Sequence, residues 1–131
     1  MTAAPRNIGS ALAQVPGPWQ PHLLARFNDH ELKVVKLHGE FVWHTHPDTD
    51  EMFVVVSGTL TIQLRDRDVV LGPQDVFVVP RGVEHCPRAD DEVSALLVEL
   101  AGTSNTGDAG GPLTAVTREL GPDRPAGSST A

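Results

Sequence analysis

The stretch Glu51 to Leu64, EMFVVVSGTLTIQL, decides the fold. Met52 to Val56 is a short, continuous apolar run rich in β-branched side chains, the pattern of a strand covered on both faces. Ser57-Gly58 interrupts it with turn residues. Leu60, Ile62 and Leu64 then alternate with Thr59, Thr61 and Gln63, the period of two that puts every second side chain on one face of a strand. A strand, a tight turn and a second strand are therefore written into fourteen consecutive residues.

The same pattern continues on both sides. Upstream, Leu32 to Leu37 and Phe41 to Trp43 are rich in β-branched and aromatic residues and predict strands. Downstream, Val69 to Leu71, Val76 to Val79 and Val93 to Leu100 predict three more. Turn residues separate them at Asp66-Arg67-Asp68, Gly72-Pro73, Pro80-Arg81-Gly82 and Pro87 to Asp91. Many short strands at this spacing indicate an all-β sandwich or barrel. Ile8, Leu12 and Val15 recur at helical spacing and predict one short helix, ended by Pro16-Gly17-Pro18. Beyond Leu100 the composition changes. Residues 101–112 are rich in Gly, Ser, Thr and Asn and predict a flexible loop; Leu113, Val116 and Leu120 are spaced to pack on one side; Gly121 to Ala131 predicts a disordered tail. The expected division is an N-terminal helix and arm (1–22), one barrel (23–101), and a C-terminal loop, packed segment and tail (102–131).

The 131 residues suit one domain, and 17 acidic against 10 basic side chains give a formal net charge of −7. That field repels nucleic acid and anionic membranes, and no Lys/Arg cluster opposes it, so neither is an expected partner. Cys86 is the single cysteine, so no disulfide forms within the chain, which suits a reducing cytosol. No secretory apolar run and no stretch of about 18 apolar residues is present. A cytoplasmic protein is expected.

Chemistry concentrates in two short stretches. In the first, His44 and His46 stand two apart, so a strand turns both imidazoles to one face and Trp43 and Thr45 to the other. Pro47 forces a turn, and Glu51 opens the returning strand, where its carboxylate meets the same point. In the second, His85 follows the turn Pro80-Arg81-Gly82 and approaches from another strand. Three imidazoles and one carboxylate form a mixed N/O shell for one divalent transition metal: Fe, Mn, Ni, Cu or Zn. The shell lacks the thiolates of a structural zinc site and leaves positions on a six-coordinate ion for water, O₂ or substrate. His22, His30 and His38 are read as ordinary surface or core residues. A lone His-x-His is weak; its conjunction with a following Glu and a downstream Pro-x-Gly-x-x-His is not explained by chance.

These two stretches resemble the cupin superfamily, in particular its small single-domain members. The first motif of that family stands here as Gly39, His44-Thr45-His46, Glu51 and Gly58; the second is matched by Pro80-Arg81-Gly82 and His85. The resemblance covers about residues 32 to 100. It implies a double-stranded β-helix, a jelly-roll-like barrel of two antiparallel sheets, with a metal in its mouth and pairing into homodimers. Gly39 stands one residue nearer His44 than usual, the second motif's opening glycine is displaced to Gly72, and Ala89 occupies its closing Asn position.

Other residues carry two readings. Glu99, in the apolar run Ala95 to Leu100, is either a second carboxylate in the pocket, available as a general base, or, as preferred here, a strand-end carboxylate facing water or pairing with an arginine. Cys86 points away from His85 and reads as a packing residue. Glu84 reads as solvent-facing, Arg81 as a turn residue, and Trp43 as packing between sheets or subunits. Asn105-Thr106-Gly107 can fold over the barrel mouth as a lid. The leading expectation is a metalloenzyme performing O₂-dependent oxidation of an enol, phenol or diketone. The alternatives are an isomerase or cyclase using the ion as a Lewis acid, and a binding protein that captures a small molecule without turnover.

Overall fold

The computed structural model describes residues 4–123. One short helix, α1 (Ile8–Leu12), precedes seven strands: β1 (His22–Phe27), β2 (His30–Glu40), β3 (Glu51–Ser57), β4 (Leu60–Leu64), β5 (Asp68–Leu71), β6 (Val76–Val79) and β7 (His85–Leu100). All strand pairs are antiparallel. One layer runs β1-β2-β7-β3-β6; β4 and β5 form the other, which joins the first through β7. This is the jelly-roll-like barrel that the family resemblance implies, within the all-β class that the strand pattern predicts. None of the helices among the described residues is long and apolar enough to cross a membrane.

Strand β7 departs from expectation. Pro87 to Asp91 has the composition of a turn, yet a single strand runs through all of it. Two features permit this. Pro87 has no N–H to contribute, but its carbonyl accepts from Phe41 N at 2.9 Å. From Leu37 to Gly39 β2 advances two residues while its partner goes from Val93 to Ala89, four residues, so Asp90, Asp91 and Glu92 are extruded to solvent as a bulge. The polar residues bend the strand instead of ending it. The bend lets His85 to Arg88 pair with β4 while Val93 to Leu100 pair with β2.

Three other expectations are corrected. Phe41 to Trp43 lies outside any strand, because β2 ends at Glu40 after a left-handed Gly39 (φ 81°). In β3 the apolar run is covered on one face only: Phe53 and Val55 are buried, whereas Val56 is exposed and faces the same side as the half-buried Met52 and Val54. Val116 is 76% exposed, so Leu113, Val116 and Leu120 do not share a packed side. That segment is extended: Arg118 bonds the backbone of Pro21 and Leu23 beside β1, and Leu120 packs against the α1 cluster. The loop 102–112 is held by hydrogen bonds described below, and residues 124–131 of the expected tail lie outside the described residues.

The core follows from the alternation. Val35, Leu37, Phe53, Val55, Leu60, Ile62, Val93 and Ala95 point into the barrel and form one cluster, each large aliphatic side chain contributing roughly 1.5–3 kcal/mol on burial. A second cluster lies outside, where Ala11 and Val15 cover Leu24 and Val34. Asn7 caps α1 by accepting from Ser10 N at 2.9 Å.

Two turn positions test this backbone with opposite signs. Gly58 (φ 88°) lies where an added Cβ would sit 2.9 Å from Glu92 O. Gly58→Ala should therefore cost about 2 kcal/mol or more, from left-handed strain plus crowding. Gln74 holds φ 72° with a β-carbon; Gln74→Gly should gain about 0.5 kcal/mol after its added unfolded-state entropy. Chemical denaturation of the two variants checks the pair, and equal midpoints would contradict this account.

Candidate metal centre

The centre begins with backbone pairing. His44 and His85 form an isolated antiparallel bridge, His44 N to His85 O and His85 N to His44 O, both at 3.0 Å. Gly82 N donates to His46 O, also at 3.0 Å, so the turn Pro80-Arg81-Gly82 docks beside the His-x-His segment. Gly82 takes φ 80°, which folds Val83 N back onto Pro80 O. Glu51, the first residue of β3, enters from the third side. The alternation expected over Trp43 to His46 holds although the segment is not in a regular strand: His44 and His46 are buried, and Trp43 and Thr45 are half-exposed.

All four expected ligands converge. His44, His46, Glu51 and His85 are buried, and one ligand atom of each lies within 4.8 Å of the others. Ligand atoms held about 2.1 Å from one ion stand at most about 4.2 Å apart. The cluster thus needs only small side-chain rotations to share an ion.

The hydrogen bonds fit that use. His44 Nδ1 lies 2.8 Å from Val42 O and His85 Nδ1 lies 3.0 Å from Val83 O. A carbonyl only accepts, so each Nδ1 carries the proton and each Nε2 offers a lone pair. Burial, and secondly the neighbouring His85, lowers the His44 pKa to about 4, so its ring is neutral near pH 7. His85 Nε2 stands 3.1 Å from Glu51 Oε1, a contact that a proton on the ring or a shared cation satisfies. His46 is the clearest sign. Both of its ring nitrogens are buried with no hydrogen-bond partner among the described residues, and the 3.5 Å approach of Nε2 to Glu51 Oε1 does not satisfy it. An orphaned buried imidazole nitrogen costs free energy that a metal ion would offset. Burial opposes the charge on Glu51, but His46 and His85 outweigh it and hold the carboxyl well below its usual range.

Glu99 does not face water or pair with an arginine, contrary to the preferred reading. It is 1% exposed, and its Oε1 accepts from Lys33 Nζ at 3.1 Å, itself 1% exposed. Burial, then the charge of nearby Glu51, raises its pKa to about 9 in spite of Lys33. Its Oε2 has no partner among the described residues. Lys33 was missed by sequence reasoning, although it shares the inward parity of Val35 and Leu37 on β2.

The other candidates sit as follows. Cys86 is buried beside the site, and burial pushes its thiol up to about 11. Glu84 pairs with Arg65 at 2.7 Å, and Arg65 also lies 3.7 Å over the Trp43 ring. Trp43 therefore packs under an arginine at the surface. Arg81 bonds Asp50 through its backbone N at 2.8 Å. His22 is buried, with Nδ1 on Gln20 O; His30 stacks on Phe27, and His38 is exposed; none joins the cluster.

The loop after β7 reaches the centre. Asp108 clasps Thr45, the residue between the two ligands: its Oδ1 accepts from Thr45 N at 2.8 Å and its own N donates to Thr45 O at 3.1 Å. Gly107 (φ 53°) lies so close that a Cβ would strike Thr45 O and crowd the His44 ring. Thr106 is fully buried, bonded to Thr114 at 2.6 Å. Asn105-Thr106-Gly107 was expected to be able to fold over the mouth; the grip of Asp108 on Thr45 was not legible in the sequence and needed the fold. Two cavities flank the clasp, an apolar one reaching His44 and Glu51 and a polar groove reaching His46.

Two variants read this arrangement. His46→Ala should remove most metal affinity and leave the β-rich circular dichroism unchanged. Asp108→Ala should weaken retention about tenfold by loosening the clasp. Competition with a chromogenic chelator measures both, and wild-type retention by His46→Ala would refute the site.

Comparison with known proteins agrees with the geometry. A family model described as a cupin domain matches residues 32–100. The protein YdbB of Bacillus subtilis (strain 168) is 36% identical over 77 residues, 58% of this chain and 68% of that relative. Among solved structures, a cupin-2 domain containing protein from Shewanella frigidimarina aligns with a TM-score of 0.71 at 41% identity, covering 72% of this chain and 92% of that one. A protein from Neisseria meningitidis aligns with a TM-score of 0.67 at 30% identity, covering 77% and 100%.

Proposed function

This chain belongs to the cupin family, and on that premise we propose that it is a small metalloenzyme that oxidises a small oxygen-containing molecule with O₂. The observation that carries this reading is the orphaned His46 in a buried cluster of three imidazoles and one carboxylate, reached by cavities on two sides. When bound, a divalent transition metal in such a shell supplies Lewis acidity and, for iron, manganese, copper or nickel, redox chemistry with O₂.

The chain's own residues prepare the site. Val42 O and Val83 O fix the tautomer and ring plane of His44 and His85, so each Nε2 is aimed without a search over rotamers. As ligands, Glu51 would supply one negative charge and imidazoles none, so a divalent ion held by His44, His46, Glu51 and His85 would keep Lewis acidity toward a substrate oxygen. Burial, then the charge of Glu51, pushes the Glu99 carboxyl up to about 9, a direction that favours proton donation over the general-base role. Phe53 packs edge-on to His85 at 6.3 Å and gives the cluster an apolar neighbour on the barrel side.

A homodimer and a cytoplasmic setting belong to the same proposal. The dimer is supported by edge strand β6, where Val76 is 55% and Val78 41% exposed on the uncovered face of β3. The single, buried Cys86 is compatible with a reducing compartment. Light scattering during gel filtration should give twice the chain mass, and Val76→Lys with Val78→Lys should halve it; a monomeric wild type sinks the dimer.

The reaction is tested by elemental analysis of protein purified without added metal, followed by oxygen-electrode assays on phenols, enols and diketones. Iron, manganese, copper or nickel near one per chain, with O₂ uptake lost in Glu51→Ala, is expected. Turnover under anaerobic conditions would replace oxidation by isomerase or cyclase chemistry. Tight binding without product would leave a binding protein.

A further inference from the structure

The four candidate ligands are closed off: each is between 0% and 3% exposed. The apolar cavity that reaches His44 and Glu51 has a free volume of ≈ 30 Å³, room for about two waters. The groove on the His46 side is larger, ≈ 330 Å³, but both ring nitrogens of His46 are shut off from it. As folded, the chain admits water-sized molecules to the centre and nothing larger. A substrate needs part of the wall to move.

Most of the wall is fixed. The inner side is barrel sheet, with Val35, Leu37, Phe53 and Leu97. On the aromatic side Trp19 stacks on Phe41 with centroids 4.5 Å apart. That side is tied to β2, since Trp19 N donates to Lys36 O at 2.8 Å and its indole N–H to His38 O at 3.0 Å. The third side is the loop after β7. Asn105 stands in the wall of the apolar cavity, and Gly107 and Asp108 stand in the wall of the groove. A Cβ on Gly107 would come 3.1 Å from the His44 ring, so the loop also covers the edge of a ligand.

The loop bonds chiefly to itself. Gly107 N donates to Ser104 O, Ala109 N to Thr106 O and Thr114 N to Gly111 O, at 3.0 to 3.1 Å. Asn105 bonds both Leu113 O and Ala115 N, and Thr106 bonds Thr114. Residues 103–115 are thereby cross-tied into one compact body of the Ω-loop kind. Among the described residues, hydrogen bonds join that body to the barrel at two places. Thr103 turns back on Leu100 at the root, and Asp108 clasps Thr45 at the tip.

The connectors at its two ends are unencumbered. Gly102 is exposed in the left-handed region (φ 83°), with nothing within 4 Å of where a Cβ would stand. At the other end Val116 is 76% exposed, and the chain is fixed again at Arg118, which bonds Pro21 and Leu23. Gly102 and Thr117 line the same surface groove, which brings the two connectors together. A cross-tied piece with neighbouring connectors and a two-bond attachment at its far end can swing as a unit.

We propose that residues 103–115 form a lid hinged at Gly102 and at Val116–Thr117, that the Asp108–Thr45 clasp is its latch, and that substrate reaches the centre when the latch opens. Lifting the lid removes Asn105 from one cavity and Gly107 and Asp108 from the other, so the two join over His44 and His46. The role given to the lid rests on the cluster being a metal centre; the motion itself does not.

The motion is tested on metal-free protein with diethylpyrocarbonate, an imidazole reagent larger than two waters, read by peptide mass spectrometry. Asp108→Ala should speed modification of His44 and His46 about tenfold and leave the exposed His38 unchanged. Unchanged rates at His44 and His46 in the folded variant overturn the lid. Hydrogen exchange on the native chain serves if the variant fails to fold. The Thr45 and Asp108 amides should exchange about tenfold or more faster than the His44 and His85 bridge amides, and equal protection overturns the lid. The access role is read from zinc uptake by metal-free protein. Asp108→Ala should load about tenfold faster than wild type in spite of its weaker retention. Equal or slower loading makes the clasp a support for the ligands and overturns the access role. If wild-type protein takes up no zinc, the metal centre falls, while the modification and exchange results still decide the lid.

Discussion

The structure depends on the two-bond bridge between His44 and His85. These residues are 41 positions apart, and the pair of 3.0 Å backbone hydrogen bonds between them closes the mouth of the barrel. Without it, His44 and His46 would lie on an irregular segment after β2, free to turn away from the first residue of β7. With it, two imidazoles face each other with centroids 4.3 Å apart, and Gly82 is brought against His46. The bridge works because β7 is long and bent. Its C-terminal half is locked into the main layer, and the bulge at Asp90 to Glu92 redirects its N-terminal half across β4 toward the mouth.

Around that bridge the chain accepts a dense set of buried polar groups. His44, His46, Glu51, His85, Glu99 and Lys33 are all nearly inaccessible, an arrangement that destabilises a fold unless each group finds a partner. Most do. Backbone carbonyls take the Nδ1 protons of His44 and His85, and Lys33 meets Glu99. The exceptions, both nitrogens of His46 and one oxygen of Glu99, cluster where chemistry is expected and are few against an apolar core of Val35, Phe53, Ile62 and Val93. A buried ion pair adds little net stability. Lys33 lies 3.1 Å from Glu99 and opposes the upward push that burial and the charge of Glu51 exert on that carboxyl.

The C-terminal segment binds the barrel to the site. Asp108 and Gly107 grip Thr45 from outside, Asn105 and Thr106 stiffen the loop from within, and Arg118 runs beside β1. The loop thereby forms part of the wall between two cavities of opposite character, one apolar and one acidic. Among the described residues, no lysine or arginine lines either cavity.

Much of this was legible in the chain itself. The alternation of Leu60, Ile62 and Leu64 and the apolar runs around it sufficed for an all-β fold, because side-chain period is a local property of the backbone. The four candidate ligands were legible because His44, His46, Glu51 and His85 lie near Pro and Gly turns, and their residue types have few other joint explanations. What could not be read locally was register. Lys33 under Glu99, the bulge that absorbs Asp90 to Glu92, Val116 facing solvent, Trp19 stacked on Phe41 and Asp108 on Thr45 all join residues remote in sequence. A one-residue slip in any strand would exchange their faces. The sequence by itself therefore determined the class of fold and the four side chains that can hold a metal; the tertiary structure decided which groups meet them, since only a completed barrel sets the distances between strands.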